Sequence, residues 1–281
     1  PLDGSFEIAL DAAAQPLLAL LERDPDLAIF QLLRESSRGG ANYGVTHSVH
    51  SAIASHLVAQ RLGWNASDTR RAFNAALTMN LSMLELQGQL AARHMPLTST
   101  QRDAIAAHPL ASVRLLEDCG VGDRQWLDAV AQHHELPDGS GYPRQLREVC
   151  ELASLLRHAD IYTARLGPRA TRDGQAGDLA LKEMFRRGAR DPIVTATARE
   201  FGMYPPGCYV MLACGETAVV IKRGQSLGTP LVVSMLDSSG TPLDEPVRRD
   251  TALAEYAIVK AVSDRRVRLS TRRRRLAART A

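Results

Sequence analysis

The sequence predicts a mainly α-helical protein with a small β-rich module towards its C-terminal end. Apolar residues make up 45% of the 281 residues and aromatic residues only 5%. This balance is typical of helical cores built from leucine, alanine and valine. Apolar residues recur at helical spacing as far as Leu166, whereas after Tyr204 they form short runs separated by glycine and proline, which indicates strands.

The helical part divides into an N-terminal segment and a main domain. Leucines at helical spacing predict N-terminal helices over residues 1–40, which end at the glycine pair of residues 39–40. The main helical domain is expected over residues 41–200. The predicted stops between its helices are Gly63, Gly120 and the loop of residues 138–143.

The β-rich module is expected over residues 201–264. The turn signal Y-P-P-G at residues 204–207 opens it. Four strand-like runs follow, at residues 208–212, 218–222, 231–236 and 256–262. Because glycine and proline separate these runs, they are typical of short strands joined by turns.

An arginine-rich tail is predicted over residues 265–281, where eight arginines crowd into residues 265–279. Such a run is usually solvated and dispensable for the fold, because like charges repel and few apolar residues separate them. Contact with an acidic partner, nucleic acid or an anionic membrane is the alternative. The formal net charge of +3 is too small to indicate nucleic acid binding by itself.

The four cysteines and the hydropathy pattern indicate a cytoplasmic protein with reduced thiols. None of the cysteines forms a C-x-x-C pair, so no zinc knuckle is predicted. No run of 18 apolar residues predicts a membrane span.

Histidines and other polar residues continue the apolar stripes of several predicted helices. The stripe of Trp126, Ala129 and Val130 leads to His133 and His134 at positions i+7 and i+8. The other polar residues placed on or beside a stripe in this way are His47, His50, Asn80, His108 and Asp160. His108 is expected on a helix that Pro109 restarts.

Inward polar groups of this kind need partners. A buried aspartate or asparagine costs a few kcal/mol unless it is paired, hydrogen-bonded or bound to metal. One inward histidine is usually a satisfied core residue, but the adjacent His133 and His134 together with Asp160 favour a polar or metal cluster. Histidine nitrogen and carboxylate oxygen are the usual ligands of Zn, Fe, Mn or Ni.

Residues 133–143 read H-H-E-L-P-D-G-S-G-Y-P and resemble the signature H-H-E-x-x-D-G-x-G-Y-P of HD-GYP domains. The resemblance extends over about residues 43–172, in which His47, His108 and Asp160 match further metal ligands of the family. These domains are metal-dependent cyclic-di-GMP phosphodiesterases of the HD superfamily. The resemblance therefore implies an HD-superfamily helical bundle.

The resemblance also implies a nucleotide pocket and a surface for signalling proteins at the loop of residues 138–143. The family's phosphate-binding cations match two arginines, and its loop shapes the pocket. The implied ligand-binding residues are Arg169, Arg172, Asp138, Gly139, Gly141, Tyr142 and Pro143.

Departures from the family pattern fall on the catalytic centre. Met79 and Asn80 stand where active relatives have the His-Asp pair that gives the family its name. A bridging carboxylate offsets the repulsion of two cations, whereas the asparagine is neutral and the thioether is a poor ligand for hard or borderline ions. The other departures are Tyr43 for a glutamate, Met83 for a lysine and Thr163 for an aspartate.

The remaining ligands fall into two sets. His108, His133 and His134 could hold a single divalent ion such as Zn, Fe, Mn or Ni, while His47 and Asp160 form a weaker, incomplete set. The alternative is a core without metal in which the same groups hydrogen-bond to one another.

The leading functional hypothesis is a degenerate HD-GYP protein that acts as a non-catalytic cyclic-di-GMP receptor or signalling adaptor. Two alternatives stay open. One is a phosphodiesterase with residual one-metal activity on cyclic-di-GMP or pGpG, and the other is a protein-interaction scaffold that binds no nucleotide.

Overall fold

The computed structural model describes residues 5–36, 42–93, 95–166, 177–188, 190–263 and residue 267. Arg169, Arg172, the glycine pair of residues 39–40 and all eight arginines of the predicted tail lie outside these residues. The predicted fold class is confirmed, because helices occupy the described chain as far as Phe201 and an antiparallel sheet follows. The division at residues 40, 200 and 264 stays a proposal.

Ten α-helices occur within the described residues. They are α1 Ser5–Arg23, α2 Pro25–Ser36, α3 Tyr43–Arg61, α4 Ala66–Thr78, α5 Leu84–Ala91, α6 Ser99–Asp118, α7 Arg124–Gln132, α8 Glu151–Leu166, α9 Gly177–Gly188 and α10 Pro192–Phe201. A 3-10 turn, Leu81–Met83, connects α4 to α5. Gly63 and Gly120 follow α3 and α6 with positive φ, as the predicted helix stops require.

Helix α3 lies at the centre of the helical part and packs against α2, α4, α5, α8 and α10. Small residues such as Ser51, Ala52 and Ala59 are fully buried along it and allow neighbouring helices to approach closely. Ser51 Oγ lies 3.0 Å from Thr163 Oγ1 of α8, a buried hydrogen bond that fixes the two helices in register. The long polar face of α3 is therefore part of the core.

The expectation that Pro109 restarts a helix is wrong, because α6 runs continuously through it. Proline cannot donate to the carbonyl four residues earlier, which belongs to Ile105. The His108 ring nitrogen Nδ1 lies 2.6 Å from that carbonyl oxygen and supplies the missing hydrogen bond. The histidine that the resemblance assigns to metal therefore also supplies the helical hydrogen bond that Pro109 cannot form.

The sheet has the strand order β4-β3-β2-β1-β5, and all neighbours are antiparallel. Its strands are β1 Tyr209–Leu212, β2 Thr217–Lys222, β3 Leu231–Leu236, β4 Pro242–Asp250 and β5 Ile258–Val262. Val219 lies opposite Tyr209 on one side and Val233 on the other. Val210, Val220 and Val232 are fully buried and continue the hydrophobic core of the helices.

Strand β4 was not predicted, because most of its residues are polar and exposed. It is an edge strand, and in place of apolar alternation an ion pair to the residue before β2 stabilises it: Arg249 Nη2 lies 2.7 Å from Glu216 Oε1. The predicted strand at residues 256–262 begins two residues later, since a 3-10 turn, Ala254–Tyr256, precedes β5.

The sheet is fixed to the helices by close packing and by charge. Gly207, with φ of 95°, lies against α2, and a Cβ there would be 3.0 Å from both the Phe30 oxygen and the Leu33 Cβ. Beside it lies an ion cluster of four residues from α2, α3, α10 and the end of β2, here named the Arg223 cluster. Its members are Asp26, Arg61, Glu200 and Arg223.

Hydrogen bonds within the Arg223 cluster are short. Arg223 Nε lies 2.6 Å from Asp26 Oδ1, and its Nη1 contacts the Glu200 carboxylate. Arg61 Nε donates to the other Glu200 oxygen at 2.7 Å.

None of the helices that the structure describes has the length and apolar composition needed to cross a bilayer.

Candidate metal and nucleotide site

Three histidines meet where α6 faces the segment after α7. His108 Nε2 lies 3.1 Å from His133 Nε2, and the His134 ring centroid lies 4.2 Å from that of His133 and 5.0 Å from that of His108. One nitrogen from each ring can be chosen so that all lie within 4.8 Å of one another. Within the described ranges no other group of three or more histidine, cysteine or acidic ligands is as close.

The tautomers of two of these rings follow from their backbone contacts. His108 Nδ1 lies 2.6 Å from the Ile105 oxygen, and His133 Nδ1 lies 2.7 Å from the Val130 oxygen. A carbonyl only accepts hydrogen bonds, so each Nδ1 carries the proton and each neutral ring has a lone pair on Nε2. Two lone pairs thus face each other at 3.1 Å, an arrangement that a cation between them would stabilise.

A divalent metal ion fits this arrangement better than a proton. Burial, reinforced by the charge of the neighbouring histidines, lowers the pKa of His108 and His133 to about 4 and that of His134 to about 3. The rings are therefore neutral at pH 7. Two ligand nitrogens about 2.05 Å from a tetrahedral zinc ion would be roughly 3.3 Å apart, close to the observed separation.

The weaker ligand set forms a pair of its own. His47 Nε2 lies 2.7 Å from Asp160 Oδ1, and the Tyr43 ring stacks on His47 with centroids 5.8 Å apart. Burial acts to raise the Asp160 pKa, but the hydrogen bond from His47 and the nearby histidines hold it below its usual range. Asp160 also acts on the His108, His133 and His134 pKa values, so both sets share one electrostatic environment.

The apolar stripe had predicted that His133 and His134 lie on the helix of Trp126 and Val130. In the structure both histidines lie beyond the end of α7. Helix α7 ends at Gln132. The physical reason is that the His133 ring occupies the Val130 carbonyl, which the backbone N–H of His134 would take in a continued helix. The chain turns instead, and this turn lets both adjacent rings face the site.

Asn80 is likewise buried but not helical, because α4 ends at Thr78. The corner that contains Met79 and Asn80 is held from both sides. Trp126 Nε1 donates to Thr78 Oγ1 at 2.9 Å, and Ser82 Oγ donates to the His108 oxygen at 3.0 Å. The corner therefore lies between α6 and α7, the elements that position the histidines.

Both corner residues are buried, and the Asn80 Nδ2 donor has no hydrogen-bond partner among the described residues. The other departures from the family pattern are also neutral side chains in packed surroundings. Thr163 Oγ1 donates to the Ala159 oxygen at 2.8 Å, and Met83 is buried. Asp160 is thus the carboxylate that acts on all three clustered histidines.

The loop of residues 138–143 covers the histidines through its tyrosine. The Tyr142 ring stacks on His134 with centroids 4.6 Å apart and an interplanar angle of 22°. Asp138 Oδ1 accepts hydrogen bonds from the Ser140 backbone N–H and hydroxyl, which shapes the turn at Gly139. The Tyr142–Pro143 peptide bond is cis. The structure thus places the predicted loop beside the predicted metal ligands.

Two residues determine the loop's shape, and the sequence assigned no role to the first. Glu135 is fully buried and accepts hydrogen bonds from the backbone N–H groups of Arg144 at 2.6 Å and Leu146 at 3.0 Å. Gly141 packs so closely that a Cβ would lie 2.4 Å from the Leu136 nitrogen. The sequence feature that could have identified Glu135 is its position, since this acidic residue directly follows two histidines predicted to be buried and precedes a loop with two glycines.

Comparisons with known proteins identify a family and two relatives. Residues 30–194 match the HD domain family model. The chain is 29% identical over 195 residues to "Cyclic di-GMP phosphodiesterase PA4108" of Pseudomonas aeruginosa, covering 68% of the chain and 47% of that protein. It is 24% identical over 151 residues to "Cyclic di-GMP phosphodiesterase PdeB" of Borreliella burgdorferi, covering 53% and 37%. The chain thus spans about half or less of the length of these relatives.

Two solved structures are similar at low sequence identity. Bd1817, a HDG"Y"P protein from Bdellovibrio bacteriovorus, is 20% identical with a TM-score of 0.47, covering 56% of this chain and 52% of that one. The HD domain of phosphodiesterase PgpH from L. monocytogenes is 12% identical with a TM-score of 0.44, covering 60% and 95%. Since the family model matches more than half of the residues, this chain belongs to the HD domain family.

Proposed function

We propose that this HD domain is a receptor that binds cyclic-di-GMP, with at most one divalent metal ion, and does not hydrolyse it at a useful rate. The substrate class comes from the two relatives named as cyclic-di-GMP phosphodiesterases. The loss of hydrolysis comes from the residues of the site itself.

The observation that carries the proposal is the neutral corner between α4 and α5. Met79 and Asn80 are buried there, between the elements that position His108 and His133. Two divalent ions would bring four positive charges to a site in which Asp160 is the carboxylate that acts on the three histidines. Without a bridging carboxylate to offset their repulsion, a two-metal centre is strongly disfavoured.

One metal ion is compatible with the same residues. His108, His133 and His134 would hold it, and it would supply positive charge for a phosphate oxygen. His47 and Asp160 remain paired with each other and leave the second position without a free carboxylate. Tyr142 and its loop would shape the nucleotide pocket, and Arg169 and Arg172 would bind phosphate as bidentate donors.

The direct experiment measures metal content, binding and hydrolysis on the same preparation. Elemental analysis is expected to give at most one divalent ion per chain, and His133→Ala should remove it. Isothermal titration should detect cyclic-di-GMP at roughly micromolar affinity, and Arg169→Ala and Arg172→Ala should each weaken binding about tenfold or more. Turnover near 1 s⁻¹ with Mn²⁺ or Fe²⁺ supplied would contradict the proposal.

A restoring variant gives a sharper test of the neutral corner. Met79→His with Asn80→Asp returns the ligand types that active relatives carry and is expected to raise the metal content towards two ions per chain. Met79→Leu with Asn80→Leu is the matched control, since it changes the same positions without adding ligands. Equal metal content in the two double variants would show that the corner does not limit metal binding.

The two alternatives are outcomes of these measurements. Absence of nucleotide binding at about 100 μM cyclic-di-GMP, with and without Mn²⁺, would favour an interaction scaffold that uses the loop of residues 138–143. Slow turnover of cyclic-di-GMP or pGpG that requires one bound ion would favour residual phosphodiesterase activity.

A further inference from the structure

A cavity of about 80 Å³ lies between α8, α9 and Asp191, the residue before α10. The proposed function makes no use of it. Charged side chains of both signs line it, from α8, from α9 and from the cap of α10. The lining includes Arg157, His158, Ile161, Arg165, Glu183 and Asp191.

Arg157 is the unusual member of this lining. Its Nε is buried and has no hydrogen-bond partner among the described residues. Burial lowers the guanidinium pKa, and the charge of Asp191 only partly opposes this. An arginine stays charged at neutral pH, so a buried guanidinium nitrogen without a partner is unfavourable unless an anion reaches it.

The two acids of the cavity are already engaged elsewhere. Asp191 accepts a hydrogen bond from the Ile193 backbone N–H at 2.8 Å as the cap of α10, and its other oxygen lies 3.3 Å from His158 Nε2. Glu183 accepts a hydrogen bond from Arg186 at 2.7 Å. Neither acid forms a direct hydrogen bond with the Arg157 Nε.

Arg157 is also close to the candidate site. It lies three residues before Asp160 on α8, so the two side chains leave the helix on neighbouring positions of one turn. Its positive charge contributes to the lowering of the His134 pKa. The arginine therefore adds positive charge to the region where the metal ligands and the Tyr142 loop meet.

We propose that Arg157 binds a phosphate group in this cavity. The volume is more than twice the roughly 30 Å³ that one water molecule occupies in the liquid, so a tetrahedral anion fits. It is well below the roughly 300 Å³ of a pocket for a whole drug-sized ligand, so any attached nucleoside would lie outside. The guanidinium plane offers the forked donors that phosphate oxygens accept.

The site requires phosphate but no particular nucleotide, so it can be tested apart from the proposed function. The full chain, in EDTA to remove metal, is titrated with inorganic phosphate by calorimetry. Thermal unfolding is followed in parallel against sodium chloride of equal ionic strength. Phosphate is expected to raise the unfolding midpoint of the unsubstituted protein, and Arg157→Gln should weaken phosphate binding at least about tenfold. The control is Arg124→Gln, an exposed arginine on α7 whose loss should change nothing.

Stability without phosphate provides the second measurement. Because Arg157 has a buried nitrogen without a partner, Arg157→Gln should unfold at the same or a higher temperature than the unsubstituted protein. A lower midpoint, or failure to fold, would show that the guanidinium is structural and would overturn the proposal, as would an equal phosphate response in both proteins. Cyclic-di-GMP titration separates the two ideas: a phosphate response without nucleotide binding removes only the receptor function.

Discussion

Glu135 and Gly141 show how single residues determine the shape of the candidate site. The Glu135 carboxylate receives two backbone N–H groups from the far end of the loop, and Gly141 lets the loop lie directly on the backbone of residues 135–136. Together they hold Tyr142 against His134. The loop is thus positioned by the buried Glu135 carboxylate and by the absence of a Cβ at Gly141.

Gly141→Ala is expected to disrupt this packing. The added Cβ would lie 2.5 Å from the Glu135 Cα and 2.4 Å from the Leu136 nitrogen, and backbone atoms cannot move aside cheaply. We expect a loss of about 3 kcal/mol in the free energy of unfolding, at the upper end of overpacking effects. Urea denaturation measures it, with Gly122→Ala as control because a Cβ there meets nothing within 4 Å. Similar values for both variants would contradict the close approach.

His56→Leu is expected to stabilise the protein, and more strongly in acid. Both ring nitrogens are buried without a partner among the described residues, and the ring packs edge-on against Phe73. Burial lowers the His56 pKa below 6.5; the charge of Glu22 opposes this and that of Arg70 reinforces it. The unfolded chain therefore binds more protons than the folded one as pH falls below about 6.5, so this histidine costs stability there.

The measurement for His56→Leu is thermal unfolding at pH 8 and pH 5.5. We expect a gain of about 1 kcal/mol at pH 8 from removing unpaired polar atoms, and a larger gain at pH 5.5. His158→Leu provides the contrast, because its Nδ1 lies 2.8 Å from the Ser154 oxygen and its loss should destabilise the protein. A pH-independent gain for His56→Leu would show that folding does not lower the pKa of this ring.

The sequence predicted the burial of the site residues better than it predicted their arrangement. The apolar stripes correctly indicated that His133 and Asn80 face inward, since both are almost completely buried. They could not show that each lies just past a helix end, because that depends on a ring nitrogen taking a backbone carbonyl and on contacts between helices. The His47–Asp160 pair joins positions 113 residues apart, so the family resemblance grouped these two residues and no local pattern could have done so.

At the scale of elements, the contact between the end of α4 and α7 determines where the neutral corner lies. Trp126 on α7 donates its indole N–H to Thr78, the last residue of α4, and both are buried. Thr78 also donates to the Asn74 oxygen at 2.8 Å. His133 directly follows the same α7, so a shift of α4 at Thr78 would also displace His133.

Thr78→Val is expected to loosen this contact while keeping the shape of the side chain. The Trp126 N–H would lose its acceptor in a buried position, which costs about 1–3 kcal/mol. Urea unfolding monitored by tryptophan fluorescence gives the stability, and Thr195→Val on α10 is the control. An unchanged stability would show that water replaces the threonine as acceptor.

Strand β4 marks the limit of prediction for elements. The other four strands carry apolar runs and were predicted within two residues of their observed bounds. Strand β4 carries charged residues on an edge, where pairing with β3 and the Arg249–Glu216 ion pair stabilise it. Tertiary contacts of this kind leave no periodic pattern in the sequence.

At the scale of the whole molecule, the Arg223 cluster joins the sheet to three helices. Arg223→Met removes the cation that pairs with Asp26 and with one side of Glu200. We expect a loss of about 3 kcal/mol in the free energy of unfolding, since a buried acid is left without its partner. Chemical denaturation measures it, with Arg248→Met on exposed β4 as control. A loss below about 1 kcal/mol would indicate that the cluster is largely solvated.

The same cluster has a consequence for synthesis of the protein. Asp26 and Arg223 are 197 positions apart, so the ribosome completes α2 and α10 before it adds the arginine that pairs with their acids, Asp26 and Glu200. At a synthesis rate of roughly 5–20 residues per second, Arg223 is added roughly 10–40 s after Asp26. During that interval the nascent helices expose the α2 surface that the sheet later covers. The α2 surface therefore stays uncovered until β2 has been synthesised.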